Sequence, residues 1–231
     1  PSNFQTLDVG SPFDFAAQGV LYLPKHLPEP GRDGPSKEVL TELGELIDAA
    51  GGRTLALFSS WRGVEAADAH LRDVLKELPI TIITQKRGDV VGPLVERFAK
   101  DETSILLGTM SLWQGVDVPG NSCILVAIDR IPFPRPDEPV MAARSSQADA
   151  AGGSGFMQVS MPRAALLLAQ GTGRLIRSVD DRGVVAILDS RIVTKRYGSV
   201  LLNSMPPLWR TSDQSVVRDS LKRLSQEFSK D

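Results

Sequence analysis

A single cysteine, Cys123, is all the thiol chemistry available to this chain of 231 residues. One thiol closes no internal disulfide and cannot hold a metal or an iron–sulfur cluster alone, and its place in the apolar run CILVAI marks it as a core residue. No apolar stretch approaches the roughly 20 residues needed to cross a bilayer, because that run meets Asp129 and Arg130 at its end. A charge excess is missing too. Lys and Arg number 26 against 28 Asp and Glu, a formal net charge of -2. No long-range field then draws nucleic acid in, and any contact with a polyanion must come from a local patch. There is no internal repeat and no signal peptide, and Pro1 is not an initiator methionine. These absences lead to the expectation of a reducing, cytoplasmic setting and of a segment cut from a longer protein.

What is present is an alternation of short apolar runs with amphipathic ones. GVLYLP reads as a strand within a leading Pro- and Gly-rich region, 1–35. Ser36 is placed to cap a helix through Ala50, with apolar residues at Val39, Leu40, Leu43, Leu46 and Ile47, the helical period. The GG that follows suits a left-handed helix end. TLALFS, ITIIT, SILLG, SCILVAID and GVVAILD read as strands. GVEAADAHLRDVLKEL and VVGPLVERFAK read as helices between them, and DQSVVRDSLKRLSQEF as a last helix packed on the domain edge. SQADAAGGSG reads as an exposed loop. The strands are continuously apolar, not alternating, which predicts a largely parallel sheet covered by helices on both faces, an α/β three-layer domain. The core spans 36–205, and 206–231 carries the terminal helix. Ligands on such sheets bind beyond the carboxyl ends of the strands.

Three stretches carry chemistry. MPRAALLLAQGTGRLIRS can run as one helix with Pro162 in its first turn. At about 100° per residue, Gln170, Gly173, Arg174 and Arg177 share an outward stripe, with Leu168, Thr172, Leu175 and Ile176 turned to the sheet. Two guanidinium forks beside a glycine suit a polyphosphate, although surface ion pairs and helix–sheet packing explain the spacing equally well. GTMSLWQGVDVPG follows a strand and offers the hydroxyls of Thr109 and Ser111, the latter able to cap a helical turn. Gly115 and the Asp117 carboxylate follow, suited to a ribose or an arginine; a structural aspartate in an ordinary connection is the other reading. LFSSWRG ends a strand and starts a helix, so Ser59, Ser60 and the helix amides make a phosphate-sized site, with Trp61 and Arg62 adding a stacking face and a charge. Taken alone, it reads first as a plain N-cap with a packing tryptophan.

Taken in order, LFSSW, GTMSLWQGVDVPG and QGTGRLIRSVDDRGVVAILDSRI resemble motifs IV, V and VI of superfamily 2 helicases. SPFDFAAQGVLYLPKHLPEP and DRIPFPRPDEPV are similar to the DinG/XPD branch, and the resemblance covers about residues 10 to 205. It implies the second of two RecA-like domains, since neither G-x-x-x-x-G-K-[ST] nor a DEAH-like box is present. ATP and Mg2+ would be bound mainly by the first domain, the partner of this one, and any iron–sulfur cluster would lie there as well. The resemblance further implies that Arg177 and Arg174 reach the nucleotide phosphates, Arg177 as the finger. Gln170, Gly173, Gly115 and Asp117 would line the nucleotide. Ser59, Ser60, Trp61, Arg62, Thr109, Ser111 and Trp113 would touch single-stranded DNA at duplex junctions, with 5′-to-3′ movement and no membrane. Thr172 and Gln114 depart mildly from the family pattern. A non-catalytic docking module and an RNA-directed motor are the alternatives.

Overall fold

Among the described residues, seven short strands lie side by side, all parallel: β1 (Gly19–Tyr22), β2 (Thr54–Phe58), β3 (Thr81–Thr84), β4 (Ser104–Thr109), β5 (Leu125–Ile128), β6 (Gly183–Ile187) and β7 (Trp209–Thr211), in the order β3-β4-β2-β5-β6-β1-β7. The structure, a computed structural model, describes residues 11–114, 122–135, 137–176 and 178–228, with Trp113 and Gln114 by backbone alone. The helices are α1 (Phe15–Gln18), α2 (Lys37–Ala50), α3 (Trp61–Val74), α4 (Val91–Lys100), α5 (Pro139–Ala150), α6 (Met161–Thr172), α7 (Arg191–Thr194), α8 (Gly198–Asn203) and α9 (Gln214–Phe228).

Strand residues alternate between two separate cores. Leu55, Leu57, Val126, Ile128, Val185 and Ile187 face α4, α6 and α8 on one side. Ala56, Phe58, Ala127, Val184 and Ala186 face α2, α3 and α9 on the other. This is the expected three-layer arrangement, and the strands are apolar throughout because both faces are covered. Cys123 is buried, and burial pushes its thiol up to about 12. Among the described residues no helix is long and apolar enough to cross a membrane.

Local chemistry sets the boundaries. Ser36 accepts from Val39 N–H to start α2, and Gly51 ends it at φ 62. Gly52, at φ 87, lets the chain pass so close to Thr103 that a Cβ would lie 2.2 Å from its carbonyl oxygen. Two expectations need correction. Ser146–Ala150 does not belong to an exposed loop: α5 runs through Ala150, its Ala and Gln content sustaining the helix, and only 151–154 remain as connection. None of its residues is buried. Nor is MPRAALLLAQGTGRL a single helix. A π-turn, Phe156–Ser160, leads into α6, which stops at Thr172. The β-branched Thr172 donates its hydroxyl back to Leu168 O at 2.7 Å, a bond that competes with helix continuation, and Gly173 follows as the cap. Gln170, Gly173 and Arg174 therefore do not share a helical stripe, although Leu168, Thr172, Leu175 and Ile176 are buried as the periodicity predicts.

Candidate functional site

At the carboxyl ends of β3 and β4, one buried amide organises the chain. Gln85 accepts at Oε1 from Thr109 N–H (2.9 Å) and from the Thr109 hydroxyl (3.3 Å), and its Nε2 donates to Ser111 Oγ (3.0 Å). The Thr109 and Ser111 hydroxyls lie 2.9 Å apart. Ser111 is the second residue of a 3-10 turn, Met110–Gln114, whose Leu112 is buried. Gln85 belongs to none of the three motifs. A polar residue one position beyond the ITIIT run was its signal, since a polar group buried at a strand end must be paired.

Beside this, β2 ends at the Ser59–Ser60 pair. Ser60 is the N-cap of α3, its hydroxyl accepting from Gly63 N–H at 3.1 Å. Ser59 is engaged differently. Its N–H donates to Asp129 Oδ1 at 2.9 Å and its hydroxyl reaches Asp129 Oδ2 at 3.4 Å. Both donors of Ser59 thus face a carboxylate. With Gly63 N–H capped by Ser60, the amides of Trp61 and Arg62 are the first-turn donors of α3 that have no intrahelical acceptor. Asp129 is 5% exposed, and burial raises its pKa to about 6, against the pull of Arg130, whose Nε lies 3.0 Å away. Arg130 also donates to Gly31 O at 3.0 Å. Trp61 is half-buried with the Arg87 guanidinium 5.7 Å from its ring centre, a stacked cation–aromatic pair. Arg62 is exposed and meets Asp33 at 3.4 Å. One strand further, the fully buried Asp189 accepts from Ile131 N–H and takes the Arg191 fork at 2.9 and 2.7 Å, which raises the Arg191 pKa.

Gln170, Gly173 and Arg174 lie at the other end of the domain. The Thr172 hydroxyl meets Met205 Sδ at 3.4 Å, and Leu175 packs where a Cβ on Gly183, the first residue of β6, would touch it. This is the amino edge of the sheet. Gln170 and Gly173 are exposed and Arg174 is half-buried. The turn that follows is compact: Ser178 N–H donates to Asp181 Oδ2 at 2.8 Å, and the buried Gln18 gives its amide to the carbonyls of Ser178, Val179 and Asp181. The expected site residues thus form two groups, separated by the length of α6, about 18 Å for 12 residues at 1.5 Å each. Arg177, Gly115 and Asp117 lie outside the described residues, as does the Trp113 side chain.

A family model described as "Helicase C-terminal domain" matches residues 43–208. The chain belongs to that family. Among relatives of this helicase C-terminal domain, the ATP-dependent helicase DinG of Mycobacterium tuberculosis is 56% identical over 225 residues, covering 97% of this chain and 33% of that protein. The ATP-dependent DNA helicase YoaA of Escherichia coli is 36% identical over 212 residues, covering 90% of this chain and 32% of that protein. The chain spans about a third of the length of these curated relatives. A solved XPD helicase superposes with a TM-score of 0.58 at 17% identity over 84% of this chain and 36% of that one. The shared fold is RecA-like, the expected one.

Proposed function

We propose that this domain is the second motor lobe of an ATP-dependent, DinG-like DNA helicase of the cytoplasm. It grips single-stranded DNA with its carboxyl edge and supplies arginine to ATP held by a first RecA-like lobe. The observation that carries the reading is the 56% identity, over nearly the whole chain, to a relative named an ATP-dependent helicase. The same relatives favour a motor over a non-catalytic docking module, and the name of YoaA favours DNA over RNA.

The residues present suit one half of a nucleotide site. Arg174 and Arg177 would meet the phosphates, with Gln170 exposed a turn earlier, and Gly115 and Asp117 would lie near the ribose. No phosphate-cradling glycine loop with a lysine occurs in the sequence, and among the described residues no three acidic, His or Cys groups stand together to hold Mg2+. By resemblance to the family, the metal and the cradle would belong to the first lobe. Negative charge builds on the transferred phosphoryl oxygens, and a well-placed guanidinium there is worth 10³–10⁵ in rate. Because the guanidinium is on a separate lobe, hydrolysis requires the lobes to close, and loss of the phosphate contact lets them part. Movement along DNA would run 5′ to 3′, by resemblance to the family.

Two measurements decide the matter. This chain alone should show no ATP turnover, while the longer protein carrying it should hydrolyse ATP in a DNA-stimulated manner. Arg177→Ala in the longer protein should cut kcat by about 10³-fold or more. ATP turnover by the isolated chain that vanishes in Arg177→Ala would overturn the half-motor reading.

A further inference from the structure

The carboxyl edge continues past Ser59 onto β5 and β6. There three rings from distant parts of the sequence meet. Phe133 and Phe156 have centroids 5.2 Å apart, Phe133 and Tyr197 5.7 Å, and Phe156 and Tyr197 5.4 Å. The Arg191 guanidinium, itself clamped by Asp189, lies 5.8 Å from the Phe133 ring centre. Phe133 and Tyr197 are half-buried, but Phe156 remains 40% exposed.

That exposed ring is held by fixed backbone. Gly155 crosses α5 so closely that a Cβ there would fall 2.7 Å from Ser145 O and 2.8 Å from Ser145 Cα. Its N–H donates to Asp149 Oδ1 at 2.7 Å. The π-turn that follows, a distortion often found at functional positions, sets Phe156 against the other two rings, inclined 49° to Phe133 and 65° to Tyr197. Arg196, beside Tyr197, is exposed. Of the nearby carboxylates, Asp189 is held by Arg191 and Glu29 by Lys195 at 2.6 Å, while Asp149 accepts the Gly155 N–H.

We propose that Phe156, backed by Phe133, Tyr197 and Arg191, is a base-stacking shelf for single-stranded DNA. It would extend the path that begins at Thr109, Ser111 and Ser60. A flat aromatic face backed by a cation takes any nucleobase, because every base has a π-face. The distance is suitable: from β4 through β2 and β5 to β6 is three strand spacings, about 14 Å, so one continuous strand can touch both ends. The inference rests on the nucleic-acid reading of the carboxyl edge.

The test is binding of a fluorescent oligothymidine to this chain, compared with an oligomer of abasic sugar-phosphates. Phe156→Ala should weaken oligothymidine binding about 5- to 150-fold without changing its salt dependence, since no phosphate contact is removed. Phe156→Trp should retain binding and abasic oligomer should bind both variants equally; affinities are compared at a temperature where every variant is fully folded, because truncating a ring packed on Phe133 and Tyr197 lowers the unfolding midpoint. If wild-type chain binds in a salt-dependent manner and Phe156→Ala binds just as well, the shelf is wrong and the carboxyl-edge reading stands. Equal losses for oligothymidine and abasic oligomer also refute stacking. Absence of any binding by wild-type chain removes both.

Discussion

Removing the charge of Asp129 should change the pH dependence of stability in a way that no surface carboxylate can imitate. The carboxyl is buried against Ser59 and Arg130, and its pKa rises from 3.8 to about 6. A raised folded-state pKa means that the folded protein holds the proton more tightly than the unfolded chain. The associated stability is fully present below about pH 4 and is lost as pH climbs through about 6. Two pKa units at 1.36 kcal/mol each give about 3 kcal/mol in all, of which about 2 kcal/mol lies between about pH 4.5 and about pH 7.5. Asp129→Asn keeps an oxygen to accept the Ser59 N–H and nearly the same volume, but does not titrate. Urea unfolding of both proteins across that range, at constant ionic strength, isolates the group, because contributions from Asp68, Asp101 and the other carboxylates cancel in the difference. The variant should gain about 2 kcal/mol relative to wild type as pH rises. A flat difference, or wild type gaining on the variant, would refute the burial argument. The consequence for the site is direct, since the same carboxylate engages both donors of Ser59. Ser59→Ala should therefore weaken DNA binding less than Ser60→Ala.

The other expectations concern the same edge. Ser60→Ala removes the cap of α3 and should cost about 1 kcal/mol in stability, read from chemical denaturation, with a fall in single-strand affinity beyond what the lost fold population explains. Binding of single-stranded DNA to the isolated chain should be weak and fall steeply with salt, log K against log salt having a slope of about −0.7 per phosphate contacted; tight, salt-insensitive binding in a gel shift would contradict a contact made by a few local donors on a chain of net charge -2.

The sheet was legible because buried parallel strands have no polar face: TLALF, SILLG and GVVAI are apolar at every position that the two cores cover. The caps at Ser36 and Ser60 were legible for the same local reason, a hydroxyl just before an amphipathic run. What escaped was non-local or short. The three-residue β7 takes its place only by pairing with β1, 189 positions earlier in the register Val20↔Trp209, and nothing in WRT announces that. Helix α5 has no buried residue and hence no apolar stripe, so its sequence resembles a loop. The end of α6 was misplaced because the hydrophobic period continues through Leu175 and Ile176 after the helix has stopped; those side chains enter the same core from a turn. Asp129 and Gln85 were missed as organisers because their partners, Ser59 and Thr109, are 70 and 24 positions away.

The early stop of α6 bears on how a motor of this kind would couple its two ligands. The two groups of residues are about 18 Å apart along α6, too far to influence each other by direct contact. The π-turn end of α6 carries Phe156 at the carboxyl edge, and its Thr172 end leads to Arg174 at the amino edge. Between them Met161, Ala164, Leu167 and Leu168 are buried in the core. Close-packed interiors deform little, so a guanidinium drawn toward a phosphate at one end cannot rearrange the other end separately. It can only move the lobe as a body. On the proposed reading, the DNA-gripping edge is carried along by that movement, and the step size is set by the angle through which the lobes close. Substitutions that loosen the α6 core, such as Leu168→Ala, should then cost about 2–5 kcal/mol of stability and, in the longer protein, lower the unwinding obtained per ATP more than they lower ATP turnover. Equal losses in the two rates would show that coupling does not pass through the rigidity of this helix.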